Sequence, residues 1–212
     1  MNIERLVFTK EDIAIKFISS SDKRLGALIN CIGDLELELR DDHFSSLIRA
    51  ILGQQLSLNV ARAIWERLCK ACNTITPGVL LSAEENVLKK AGLSNAKIKY
   101  IKTLSSMVSN GELKLNNISL LDDESAINSL TKVPGLGRWT AEMFLIFSLG
   151  RIDVLPVNDA GIRRAIKTYY SLDNMPKPNE IELIGEKWKP FRSVATLYLW
   201  EALNKCINPG DI

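Results

Sequence analysis

Only one stretch of the 212 residues alternates apolar and charged side chains as a half-buried strand does, Leu35-Glu36-Leu37-Glu38-Leu39, and nothing near it offers a partner. It reads as an extended connector. Every other patterned segment repeats at helical spacing. Ile13, Ile15, Phe17 and Ile18, then Leu25, Leu28 and Ile29, suggest one or two short helices, and Asp42 caps another that carries Phe44, Leu47, Ile48, Ile51 and Leu52. After Gly53, Ser57 is placed to cap a helix through Val60, Ile64, Trp65 and Leu68. Pro77 opens a short one, and Ser82 to Glu85 reads as a capping box ahead of a helix that Gly92 closes. Ser94 caps a helix whose Lys97, Lys99 and Lys102 form a solvated face, and Asp122 or Asp123 caps one ending near Leu130. With about ten short helices and no credible sheet, the chain is expected to be all-α.

Composition narrows the function classes. Hydrophobic residues make up 46% of the chain, enough for a core, and the net charge is only +2, so any basic surface is local. Cys31, Cys69, Cys72 and Cys206, with the single histidine His43, fall short of a zinc or iron–sulfur ligand set and read as buried thiols of a reducing compartment, cytoplasmic or nuclear. No apolar run reaches the roughly 18 residues of a membrane span, and the first residues lack the basic start and apolar core of a signal peptide.

The chemistry concentrates between Leu130 and Arg164. Val133-Pro134-Gly135-Leu136-Gly137 lies between two helical patterns, and its glycines permit a tight turn and close approach by another molecule. The first amides of the following helix have no partner within it, which makes an anion site, flanked by Lys132 and Arg138 with no acidic residue between them. Residues Ile152 to Val157 are extended, because Pro156 forbids helix, and Asn158 or Asp159 sits where the next helix needs its N-cap. Gln54 and Gln55 form an unusual pair in a helix–helix turn, which on pattern alone is a polar surface turn.

VPGLGRWTAE followed by LPVND resembles the helix–hairpin–helix (HhH-GPD) DNA glycosylase superfamily, and within it the 3-methyladenine DNA glycosylase II type. AILGQQLSLNVAR from Ala50, GLSNAKIKYI from Gly92 and EKWKPFRSVATLYLW from Glu186 occur in that family's order and spacing, and the likeness covers residues 20 to 203. It implies two packed helical subdomains with the active-site cleft between them. One comprises residues 1–41 with 156–212; the other, 42–155, has six helices and holds the hairpin motif near 122–150. With few residues ahead of Phe44, the chain resembles the compact form, which lacks the N-terminal β-rich domain of some relatives.

The resemblance also distributes roles. Asp159 matches the catalytic aspartate. Trp139, Met143 and Trp200 match the base pocket, with Ala160 and Gly161 smaller than their counterparts and the pocket correspondingly more open. Gln54 and Gln55 fall in the wedge loop that fills the gap left by a flipped base, Gln55 at the wedge position itself. Gly135, Gly137, Arg138 and Thr140 match the DNA phosphate contacts, and the carbonyls of Thr131, Val133 and Leu136 those that hold a monovalent cation, Na+ or K+. Bifunctional relatives carry a lysine where this chain has Trp139, and cluster-bearing ones have four C-terminal cysteines where it has Cys206. The implied protein is a monofunctional glycosylase. It needs no cofactor beyond that cation, has no iron–sulfur cluster, and acts as a monomer on double-stranded DNA containing alkylated purines such as 3-methyladenine and 7-methylguanine. Two other readings stand beside it: a bifunctional glycosylase/AP lyase for oxidised bases, and a non-catalytic module that binds damaged DNA.

Overall fold

The computed structural model describes residues Glu4–Asp211, and twelve α-helices dominate the described residues. Among the described residues the one departure from all-α is a small antiparallel ribbon. Here β1 (Arg5–Phe8) pairs with β2 (Leu35–Glu38) in the register Arg5↔Glu38 to Phe8↔Leu35. The expected connector is therefore a strand. Its partner has only four residues and no alternation, and it lies on the far side of two helices, so no local pattern gave it away. Arg5 sits across from Glu38 at 2.7 Å on the exposed face.

The chain forms two compact units. The first runs to Leu39 and resumes at Leu145; the second is the continuous segment Arg40–Phe144. The chain returns to the first unit at Leu145, within a helix, rather than at residue 156.

In the first unit, α1 (Ile13–Ser21) and α2 (Lys23–Ile32) are separated at Asp22, whose Oδ1 accepts from Leu25 N. Both pack against α12 (Arg192–Asn204), which also packs against α10 (Ala160–Tyr169), while α11 (Pro178–Gly185) and α1 meet the short turn at Glu186–Trp188. Helix α12 is buried on nearly all sides from Ser193 to Leu199, which marks it as the central element. Ile18, Leu25, Leu28, Ile162, Ile166, Trp188 and Tyr198 are wholly or almost wholly inaccessible and form the core.

The second unit holds α3 (His43–Gly53), α4 (Leu58–Cys72), α5 (Pro77–Ser82), α6 (Glu85–Lys90), α7 (Asn95–Ser109), α8 (Asp123–Thr131) and most of α9 (Arg138–Phe147). Its core is Leu47, Ile48, Ile51, Leu52, Leu68, Leu80, Leu88, Ile101, Leu104 and Leu130. The capping box expected at Ser82 does not form. With Thr76 capping and Pro77 at its first position, α5 runs through Ser82, whose hydroxyl donates back to Gly78 O and Val79 O.

Nor is the lysine face of α7 simply solvated. Lys97 donates to Leu52 O and Gln54 O, and Lys102 to Ala83 O at 3.0 Å, so both satisfy carbonyls at the ends of neighbouring helices. The thiols are not buried either: Cys31 and Cys206 are exposed, and Cys69 and Cys72 are half-buried on α4. Partial burial pushes the Cys69 and Cys72 thiols up, away from the reactive thiolate.

Candidate active site and DNA-binding elements

Asp159, not Asn158, caps α10. Its backbone is extended (φ −68°, ψ 125°), its amide closes a turn onto Pro156 O at 2.9 Å, and its Oδ1 accepts from Ile162 N at 2.8 Å. The same Oδ1 accepts from the indole Nε1 of Trp200 at 2.9 Å. Two donors from different helices therefore fix where this carboxyl group points, and it is only 9% exposed. Trp200 is held in turn by Phe147, whose ring stacks on it with centroids 5.8 Å apart. Gly161 does not open a space here. A Cβ at that position would lie 3.0 Å from Asp159 Oδ1 and 3.2 Å from the Trp200 ring, so the missing side chain is what lets the indole reach the aspartate.

The segment leading into Asp159 is stitched to the start of α12. The Arg192 guanidinium makes a two-pronged contact with the Asp153 carboxyl group, Nε to Oδ1 at 2.8 Å and Nη2 to Oδ2 at 2.9 Å. Ser193 donates its amide to Ile152 O, and its hydroxyl accepts from Val154 N. Asp153, Arg192, Ser193 and Phe147 were not singled out from the sequence, although FRS stands inside a matching motif.

The hairpin joins α8 to α9. Val133 N bonds Leu130 O, Leu136 N bonds Val133 O, and the first α9 bond runs from Ala141 N to Gly137 O. The amides of residues 138 to 140 thus precede the helical ladder, as an anion site requires. Val133 and Leu136 are buried and anchor the turn. Gly135 has φ +89°, and a Cβ there would collide with the Tyr100 ring on α7. Nothing stands within 4 Å of where a Gly137 Cβ would be, so that position is open to an approaching molecule. Gly135→Ala is expected to lower stability by more than about 1 kcal/mol, read as the urea midpoint, and to weaken binding to abasic-site duplex. Gly137→Ala leaves the midpoint nearly unchanged and weakens DNA binding alone.

Two hairpin assignments need correction. Arg138 is not an unopposed cation. Its Nη atoms grip both oxygens of Glu124, and its Nε donates to Glu142 Oε1 at 3.0 Å. Glu124 in particular holds the guanidinium firmly charged and is itself held below the usual carboxylate range. Arg138 therefore ties α8 to α9, while no acidic partner stands beside Lys132 among the described residues. Thr140 is buried at 6% exposure, so only its amide is placed to meet a phosphate. Val133 O, one of the three carbonyls expected at a cation, already accepts from Leu136 N and keeps one lone pair. The Thr131 hydroxyl is turned back to Ile127 O.

The two glutamines separate. Gln55 is exposed at the tip of its turn with φ +58°, whereas Gln54 donates its side-chain amide to Gly135 O at 2.5 Å. On α9, Trp139 is 48% exposed and Met143, one turn further on, is half-buried.

The model of the HhH-GPD superfamily base excision DNA repair proteins matches residues 48–191, a span that includes the Gly53–Ser57 turn, the hairpin and Asp159. The alkylbase DNA glycosidase-like protein mag2 of Schizosaccharomyces pombe is 30% identical over 195 residues, covering 89% of this chain and 92% of its own. A DNA-3-methyladenine glycosidase from Bacillus halodurans superposes with a TM-score of 0.87 at 33% identity, covering 96% of both chains. The S. pombe 3-methyladenine DNA glycosylase Mag1, solved in complex with abasic DNA, gives 0.81 at 29% identity over 91% of this chain and 97% of its own. No described helix is long and apolar enough to cross a membrane. By its hairpin, its capped aspartate and these matches, the chain is a member of the HhH-GPD superfamily of base excision DNA repair proteins.

Proposed function

We propose that the protein is a monofunctional DNA glycosylase that extrudes alkylated purines, 3-methyladenine and 7-methylguanine among them, from duplex DNA and hydrolyses their N-glycosidic bond. The observation that carries this reading is Asp159, a nearly buried carboxyl group whose Oδ1 is pinned by Ile162 N and the Trp200 indole. A base must leave the stack before its glycosidic bond can be reached. An N-alkylated purine carries positive charge, so its bond breaks with the electron pair going to the base, which departs neutral. Positive charge then grows on the deoxyribose, and Asp159 stabilises it until water adds at C1′ and loses a proton.

Trp139, Met143 and Trp200 are assigned to the extruded base on the resemblance alone. A cationic base on an aromatic face gains about 0.5–2 kcal/mol over a neutral one. Trp139 carries no amine, so no Schiff base forms at that position and no strand cleavage follows base loss. The amides after Gly137 take a backbone phosphate, and the carbonyls of Thr131, Val133 and Leu136 are the hard oxygen donors that suit a monovalent cation beside it.

The decisive assay is release of methylated purines from alkylated duplex, with products identified. Free methylated bases and uncut abasic DNA support the proposal. Borohydride-trapped covalent adducts point to a lyase, and tight abasic-analogue binding without base release points to a binding module. Trp200→Phe separates positioning from packing, since it keeps an aromatic ring against Phe147 and removes the indole donor. Its single-turnover release rate is expected to fall about 10- to 100-fold, with little change in abasic-DNA affinity.

A further inference from the structure

The Gly53–Ser57 turn and the hairpin are physically tied within the second unit. Gln54 Nε2 donates to Gly135 O, bridging 81 positions of sequence. The backbone carbonyl of Gln54, together with that of Leu52, accepts from Lys97 Nζ at 3.0 and 2.7 Å. The ammonium therefore closes the carbonyl end of α3, where a cation is favoured. Partial burial lowers the Lys97 pKa. One turn along α7 from Lys97, the Tyr100 ring occupies the space that a Gly135 side chain would need. The turn that carries Gln55 and the hairpin that carries the anion site thus bond to each other directly, and both rest on the same turn of α7. Gln55, exposed in a left-handed conformation at the tip, is held by the neighbours of its own backbone and not by its side chain.

We infer that Gln54 and Lys97 are positioning residues that hold the Gln55 tip at a set distance from the hairpin, so that phosphate capture and filling of the vacated stack occur in register on the DNA. This rests on the glycosylase reading with Gln55 as the wedge. Breaking the tie leaves the anion site intact but delivers the tip out of register. The loss should fall on lesions that must be pulled from a paired stack. A lesion already unpaired costs less to extrude and depends less on the wedge.

The test compares single-turnover release of one methylated purine from a fully paired duplex and from the same sequence with the lesion in a bulge. The enzymes are wild type, Gln54→Met, Lys97→Met, Lys97→Arg, Gln55→Ala and the double variant Gln54→Met/Gln55→Ala. Gln54→Met and Lys97→Met are expected to slow the paired substrate about 10- to 100-fold and the bulged one less than about threefold, with Lys97→Arg restoring most of the rate. In the double variant the paired rate should match that of Gln55→Ala alone, because Gln54 acts through Gln55. Equal losses on both substrates, additive losses in the double variant, or wild-type rates for both methionine variants would overturn the inference. A wild-type paired rate for Gln55→Ala would instead remove the wedge reading beneath it, a separate failure. If Gln54→Met melts below the assay temperature, Lys97→Met/Gln55→Ala completes the cycle with the Gln54–Gly135 bond in place.

Discussion

Asp159→Asn is expected to cut release of methylated purines by at least about 10²–10³-fold, to background, while affinity for an abasic-site duplex stays within a few-fold of wild type. The substitution is nearly isosteric. An asparagine carbonyl at the same place still accepts from Ile162 N and from the Trp200 indole, so α10 keeps its cap and the indole keeps its acceptor. What disappears is negative charge near a centre that becomes positive only in the transition state. On the proposed reading, ground-state binding runs through the hairpin amides and is left alone, and the loss therefore appears in the chemical step and not in the dissociation constant. Undiminished release by this variant would remove Asp159 from the mechanism and leave it as a helix cap. A matching loss of DNA binding would show that the residue acts by holding the fold.

The largest effect on stability is expected far from that chemistry, at Asp22. This residue is 3% exposed, and its carboxyl group collects four donors: Leu25 N on Oδ1, and on Oδ2 the Tyr170 hydroxyl, the Trp188 indole at 2.8 Å and Lys187 Nζ at 3.0 Å. Arg24 closes the group by donating to Tyr170 O and lying over its ring. Asp22→Ala strands the Tyr170 and Trp188 donors in the core and leaves Lys187 without its counter-charge. Urea unfolding should register a loss of about 3–5 kcal/mol.

The same group carries a pH signature. Burial alone would raise the Asp22 pKa, but the Tyr170, Trp188 and Lys187 donors, with the Leu25 amide, outweigh it and hold the value below the ordinary 3.8. The folded state thus releases this proton more readily than the unfolded state does. The stabilisation is complete above 3.8 and is lost as pH falls below it through the depressed folded value. The urea-midpoint gap between wild type and Asp22→Asn should accordingly be wide at pH 7 and narrow in strong acid. A gap that does not depend on pH would mean that the charge is irrelevant and only the hydrogen bonds count.

What could be read in the sequence was what is local. The hairpin announced itself because two glycines, a proline and two helical patterns within a few residues leave the backbone little choice. The extended apolar run containing Pro156 narrowed the cap of α10 to Asn158 or Asp159, and the family resemblance singled out Asp159, which is the residue that caps it. The contacts that were missed join residues distant along the chain. Trp200 and Asp159 are 41 positions apart, Arg192 and Asp153 are 39, and Gln54 and Gly135 are 81. No spacing encodes such pairs; only packing brings them together. The pairing of β1 with β2 was hidden in the same way. Arg138 is the exception. Glu142 lies one helical turn beyond it, so that half of its clamp was readable from i,i+4 spacing. Glu124, on α8, was not, because the hairpin has to fold before it comes near.

The division of the chain also sets an order of events at the ribosome. The first unit is assembled from two separated stretches, with the whole of Arg40–Phe144 synthesised between them. Helix α2 packs against α12, which is made about 160 residues later. At bacterial-to-eukaryotic translation speeds, Ile18, Leu25, Leu28 and Ile29 wait on the order of ten seconds for the helix that will cover them. The continuous middle segment can meanwhile collapse around its own core as it emerges. The hairpin and its tie to Gln54 lie wholly within that segment, so their folding does not wait on α12, and the nascent chain spends that interval with the apolar faces of α1 and α2 uncovered, the stage at which a chaperone would find them.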